Sequence, residues 1–122
     1  MGTWGSGNFE NDTAADFLSE LTSGWIEEIR EAMSSPELME PDEYEGVTVP
    51  CLVEFLVMMA EKSLAGSMLP SPEETEEWNK VYLDVWDNYI DELEPDGDYK
   101  IERREVLSDI FDKLIIFARG RA

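Results

Sequence analysis

Apolar side chains recur at three- and four-residue steps in four stretches of this chain, and prolines and glycines separate the stretches. The first covers residues 13–33, where Ala14, Phe17, Leu18, Leu21, Trp25, Ile26, Ile29 and Met33 form one stripe. Asn11 and Asp12 stand before it as N-cap residues, and Gly24 is a point at which the helix is expected to bend or break. The second covers 50–65. Pro50 suits a first helical position, and residues 51–60 are apolar except for Glu54, which predicts a central, buried helix. The third covers 72–93. Ser71 and Glu74 have the spacing of a capping box, and Trp78, Val81, Tyr82, Val85, Trp86, Tyr89, Ile90 and Leu93 make a continuous stripe. The fourth covers 102–119, with Val106, Leu107, Ile110, Phe111, Leu114, Ile115 and Ala118 on its core face. Residues 47–49 and 99–101 are candidates for very short strands. Four amphipathic helices with short connections predict a single, mainly all-α domain of the four-helix bundle type, preceded by a distinctive segment over residues 1–12.

Charge sharpens this picture. The formal net charge of the 122 residues is −20, and it is uneven. Residues 1–99 carry 25 acids against Arg30, Lys62 and Lys80, whereas residues 100–122 carry six bases against four acids. Such a surface repels nucleic-acid backbones and anionic membranes and attracts a basic protein or a cation. With 43% hydrophobic residues, four Trp, four Tyr and five Phe, the chain has enough apolar material to fold despite this charge. No stretch reads as a signal peptide or a membrane span, so a cytoplasmic protein is expected. The oligomeric state is not encoded in any pattern of this kind.

The residue inventory excludes much chemistry. There is no histidine, which removes Ser-His and Cys-His catalysis and histidine-ligated metals. Cys51 is the single cysteine, so neither an internal disulfide nor a cysteine zinc cluster exists, and its apolar surroundings predict burial. No cofactor motif emerges.

The opening segment, Gly2-Thr3-Trp4-Gly5-Ser6-Gly7-Asn8-Phe9-Glu10-Asn11-Asp12, continues into Ala14, Ala15, Asp16 and Phe17. Gly5 and Gly7 permit positive φ or close backbone approach around Trp4. This run resembles the opening of a family of small bacterial proteins known as a domain of unknown function, whose members begin G-x-W-G-x-G-x-F-x-N-D-x-A-x-D-F. Gly2, Trp4, Gly5, Gly7, Phe9, Asn11, Asp12, Ala14 or Ala15, Asp16 and Phe17 match it. The resemblance implies an α-rich fold and brings no activity with it. Two roles fit the residues. Trp4 and Phe9 plug the open end of the bundle while Asn11 and Asp12 cap the first helix, or Trp4, Asn11, Asp12 and Asp16 rim a small pocket. Dinucleotide binding fits poorly, because the glycine spacing is wrong and carboxylates would face the phosphates.

Glu54 is the one charge inside the second apolar stretch. It is expected either to pair with Arg30, Arg103, Arg104 or Lys113, or to lie at a bundle edge, or to act as a buried site carboxylate of raised pKa, with Glu61 on nearly the same face. Acid pairs at Glu28/Glu31, Asp84/Asp87 and Asp109/Asp112 have spacings that can hold Mg²⁺ through oxygen ligands, although so acidic a chain produces such pairs by chance. Asp96-Gly97-Asp98 fails as a calcium loop, since Arg103 occupies the position that requires Glu, and it reads as a turn.

Two functions follow from these features. In the favoured one, the protein is a non-enzymatic interaction protein whose acidic face, formed by Asp84, Asp87, Asp91 and Glu94 on the third helix and by Glu40, Asp42 and Glu43 in the acidic linker between the first and second helices, binds a basic protein. It would act as an immunity protein or a nucleic-acid mimic does, through contacts that weaken steeply with salt. In the alternative, it is a carboxylate- and Mg²⁺-dependent all-α hydrolase built around Glu54 and Glu61.

Overall fold

In the computed structural model, which describes residues 2–121, four helices follow one another: α1 (Asp12–Met33), α2 (Tyr44–Glu61), α3 (Pro72–Tyr89) and α4 (Gly97–Arg121). A 3₁₀ turn at Pro36–Met39 leads toward α2, and another at Ile90–Leu93 prolongs α3. The all-α, bundle-like fold expected from the sequence is what forms. Both candidate strands, 47–49 and 99–101, are helical instead, and an isolated antiparallel bridge joins Thr3 to Asn11.

The first helix begins where Asn11 permits it. The Asn11 side-chain oxygen accepts the Ala14 N–H at 2.8 Å, and Asp12 is the first helical residue. Its buried line is Leu18, Thr22, Ile26, Ile29 and Ala32. That line is rotated from the expected stripe, so Phe17 is 57% exposed and Leu21 lies at the rim. Gly24 neither breaks nor ends the helix. A methyl group there would meet nothing within 4 Å, which places it on the solvent side.

The second helix departs most from the sequence expectation. It starts at Tyr44, six residues before Pro50, and ends at Glu61. Proline inside a helix removes the N–H that would bind the carbonyl four residues earlier. Here that carbonyl belongs to Gly46, and the Tyr82 hydroxyl of α3 donates to it instead. The orphaned acceptor is thus satisfied by a residue 36 positions away, and the helix continues through the proline. Gly46 must also be glycine for a steric reason. A Cβ there would stand 2.1 Å from the Glu40 carbonyl oxygen, where the 36–43 segment crosses the helix.

Ser71 caps α3 by accepting the Glu74 N–H at 3.2 Å. The Glu74 carboxylate does not return to Ser71. It receives Nε and Nη2 of Arg30, each at 2.7 Å, tying α3 to α1. Glu74 and Glu27 together raise the Arg30 pKa above its ordinary range, mainly through these hydrogen bonds. The fourth helix starts five residues earlier than the periodicity indicates, because the Asp96 side chain accepts the Asp98 N–H at 3.2 Å and caps it.

Helix α4 packs against both α2 and α3, and α1 covers α2. The core is formed by Ile29, Met39, Val53, Leu56, Tyr82, Leu107, Phe111 and Leu114, with the Tyr82 and Phe111 rings 5.3 Å apart. The connection between α2 and α3 is laced to α1. Gly66, at φ +90°, lies against the Ala15 carbonyl, and its own carbonyl accepts Ser19 Oγ at 2.7 Å. The buried Thr22 hydroxyl accepts the Met68 N–H at 2.9 Å and donates to Leu18 at 2.7 Å. From the other end of the chain, Arg121 donates to the Ser67 carbonyl at 2.7 Å.

The bond between Tyr82 and Gly46 makes two predictions. Tyr82→Phe strands a buried carbonyl and is expected to cost about 1–3 kcal/mol. In a Pro50→Ala background the restored N–H can serve Gly46, so the same substitution is expected to cost about 1 kcal/mol less. Urea unfolding of the four proteins of this cycle measures that coupling, and strict additivity would refute the compensation. Burial pushes the Tyr82 phenol up to about 12, with the Arg103 charge pulling the other way. The folded pKa lies above the unfolded value of about 10, so the folded state keeps a proton that the unfolded state loses. The contribution is complete below pH 10 and disappears as pH rises through 12. The stability difference between wild type and Tyr82→Phe is therefore expected to shrink over that window.

Candidate functional site

Carboxylates are most informative where they lack a partner. Among the described residues, five are engaged in ion pairs: Glu27 and Glu74 with Arg30, Asp91 with Lys100, Asp87 with Arg104, and Glu76 with Arg119. The predicted acidic face on α3 is therefore partly neutralised from within. Asp87 receives Arg104 Nε at 2.8 Å and Nη2 at 3.0 Å, and Asp91 receives Lys100 at 2.6 Å. The Asp87 hydrogen bonds raise the Arg104 pKa. Asp84 and Glu94 stay exposed and are in no ion pair among the described residues, Glu94 at φ +50° after the 3₁₀ turn. Glu40, Asp42 and Glu43 flank the start of α2, where Glu43 and Glu45 complement the positive end of its dipole.

The motif residues are largely used by their own loop. Backbone bonds from Trp4 to Glu10 at 2.8 Å and from Asp12 to Gly2 at 2.6 Å close residues 2–12 into a hairpin-like loop. The Trp4 indole N–H donates to Asp12 Oδ1 at 3.0 Å, and Asn11 Nδ2 donates to the Asn8 carbonyl. Trp4 and Phe9 are 53% and 39% exposed and do not enter the core. They line a surface cleft against residues 62–65, but Asn11, Asp12 and Asp16 do not line it. Gly5 and Gly7 turn without positive φ, which among the described glycines only Gly66 adopts. Glu54 lies elsewhere, exposed on α2. It is in no ion pair among the described residues and lines a different cleft, with Cys51, Phe55, Val106 and Arg103. Glu54 and Glu61 are both exposed, and among the described residues no three acidic or cysteine side chains stand together as a metal-binding group.

The second helix presents what the sequence expectation missed. It is not enclosed. Its outward line runs Val47, Cys51, Phe55 and Met58, spaced four, four and three residues apart, and all four are exposed. Cys51 is thus a surface thiol rather than a buried one, its Sγ directed at the Val47 carbonyl at 3.4 Å. Trp25 of α1 packs on Phe55 with ring centroids 5.3 Å apart, and Val106 of α4, 52% exposed, extends the strip on the other side. The signal was present in the spacing of Glu54 and these four residues, but a helix apolar all round gives no direction for its open side.

Beside this strip, α1 and α2 enclose a groove of about 150 Å³. Ala32, Val49 and Leu52 floor it, and Glu28, Glu31 and Glu45 stand around it with Leu38 and Tyr44. Tyr44 is 76% exposed. An apolar floor beneath three carboxylates and an aromatic ring suits the methylene stem and cationic head of Lys or Arg. Glu28 and Glu31 thus belong to a groove that can accept a cationic side chain.

With this geometry in hand, comparison with known proteins gives a family. The sequence profile of a domain of unknown function, DUF4259, matches residues 2–109, and the chain belongs to that family. No curated protein and no solved structure matches it. Among the described residues, no helix is long and apolar enough to cross a membrane.

Asn11→Ala removes the α1 cap and is expected to cost about 1 kcal/mol in urea unfolding. An unchanged midpoint would show that the cap contributes nothing to stability.

Proposed function

We propose that this protein is a non-enzymatic interaction module that holds a basic protein partner, as an immunity protein or a nucleic-acid mimic does. One observation carries the reading: the acid-lined groove at Glu28, Glu31 and Glu45 opens beside the exposed apolar strip of α2. Exposed apolar patches with polar rims mark protein contacts, and depletion of charge at the centre with charge at the rim is the ordinary layout of an interface. The partner's Lys or Arg enters the groove while apolar side chains cover Phe55 and Met58. Asp84, Glu94, Glu40, Asp42 and Glu43 add long-range attraction, which speeds encounter more than it strengthens the final complex. A second copy of the chain is a poor occupant, since each molecule carries −20. The setting in this reading is a bacterial cytoplasm, where an exposed single thiol such as Cys51 stays reduced.

The test is affinity capture from host lysate at low and high salt, with the wild type, Phe55→Ser, and a triple Glu28→Gln, Glu31→Gln, Glu45→Gln variant. A basic protein is expected at low salt, with at least tenfold less recovered at high salt or with either variant. Capture that ignores salt, or that both variants retain, would overturn the reading.

A further inference from the structure

A second concavity, of about 460 Å³, lies between the start of α2, the end of α3 and the first turns of α4. Its wall is aromatic and aliphatic, with Tyr82, Trp86, Leu93 and Tyr99 joined by Val47 and by the guanidinium-bearing Arg103. No carboxylate lines it, in a chain that has 29.

Arg103 is the unusual member. Among the described residues, four of the nine basic side chains are held in ion pairs, and Arg121 bonds to Ser67. Lys62, Lys80 and Lys113 have no ion pair among the described residues and are exposed on the surface. Arg103 is half-buried and takes part in no ion pair or side-chain hydrogen bond among the described residues. A guanidinium has five N–H donors in a rigid fork that matches a carboxylate. Its neighbour on α4 shows the contrast. The cleft on the other side of Trp86 also has cationic lining, from Lys100 and Arg104, but Asp91 and Asp87 already neutralise both.

We propose that the Arg103 cleft binds a small organic anion consisting of a carboxylate on a flat apolar body. The volume lies within the range of small-molecule sites, which are mostly apolar with a few placed polar groups. The apolar body lies against Trp86, Tyr99 and Leu93, and the carboxylate meets the Arg103 fork. The acidic exterior disfavours anions in general, so the cleft selects those whose apolar body contributes to binding. The site is independent of the partner face: its test does not involve Phe55 or the acid-lined groove.

The experiment titrates the full chain with 2-naphthoate, with the uncharged 2-naphthalenemethanol, and with Gly-Gly-Phe, following the Trp86 indole and Arg103 Nε–H signals by two-dimensional NMR. Naphthoate is expected to shift both signals saturably, and the alcohol to bind at least tenfold more weakly. Arg103→Gln is expected to reduce naphthoate to the level of the alcohol. That variant should keep its thermal midpoint, because Arg103 has no ion-pair or hydrogen-bond partner among the described residues to lose. Glu54→Gln, which removes the carboxylate from the adjoining cleft, is expected to leave naphthoate affinity equal or higher. No saturable shift, equal affinity for acid and alcohol, or full binding by Arg103→Gln would each overturn the proposal. Tighter binding of the peptide than of naphthoate would overturn the small-molecule assignment in favour of a chain terminus.

Discussion

The architecture rests on one hydrogen bond that repairs a defect. Pro50 sits in the interior of α2, where it leaves the Gly46 carbonyl without its helical donor, and Tyr82 reaches across from α3 to supply one. Without that hydroxyl, the first turns of α2 would bury an unpaired acceptor. Because Tyr82 also packs against Phe111 of α4, one side chain links α2, α3 and α4. Gly46 completes the arrangement by allowing the 36–43 segment to pass close to the helix.

This long-range repair marks the limit of what the sequence discloses. The four helices were legible from apolar spacing, and the N-caps of α1 and α3 from Asn11 and Ser71. What could not be read was local structure decided by distant residues. Pro50 looked like a helix start because the compensating donor lies 36 positions away. Asp96-Gly97-Asp98 looked like a simple turn because the composition of a turn and that of a helix cap are the same. The candidate site was legible only in part. The acids were visible, but which of them would be neutralised depended on α4 placing Lys100 and Arg104 beside Asp91 and Asp87. The open side of α2 was invisible because its apolar residues surround the helix.

The distribution of charge separates the surface into regions of different character. Arg104 and Arg119 tie α4 to Asp87 and Glu76 of α3, and Arg30 ties α1 to α3 in the same way. These pairs are exposed, so each contributes little stability, about 0–1 kcal/mol. Their effect is to lower the negative charge of one flank, while Glu28, Glu31 and Glu45 around the groove between α1 and α2 are in no ion pair among the described residues. The Arg103 cleft is the inverse case, a half-buried cation in an apolar wall, with Glu54 across the adjoining cleft that Arg103 also lines.

The family match stops at residue 109, but α4 runs on to Arg121. The part beyond the match contributes Ile110, Phe111, Leu114, Ile115 and Ala118 to the interior, and Arg119 and Arg121 to the ties with Glu76 and Ser67. Phe111 is the ring on which Tyr82 rests. The recurrent signature is therefore shorter than the packed core. A fragment excised at the edge of the signature would end in mid-helix and open its own interior to water, so the boundary for any transplanted or recombined copy belongs after the last turn of α4.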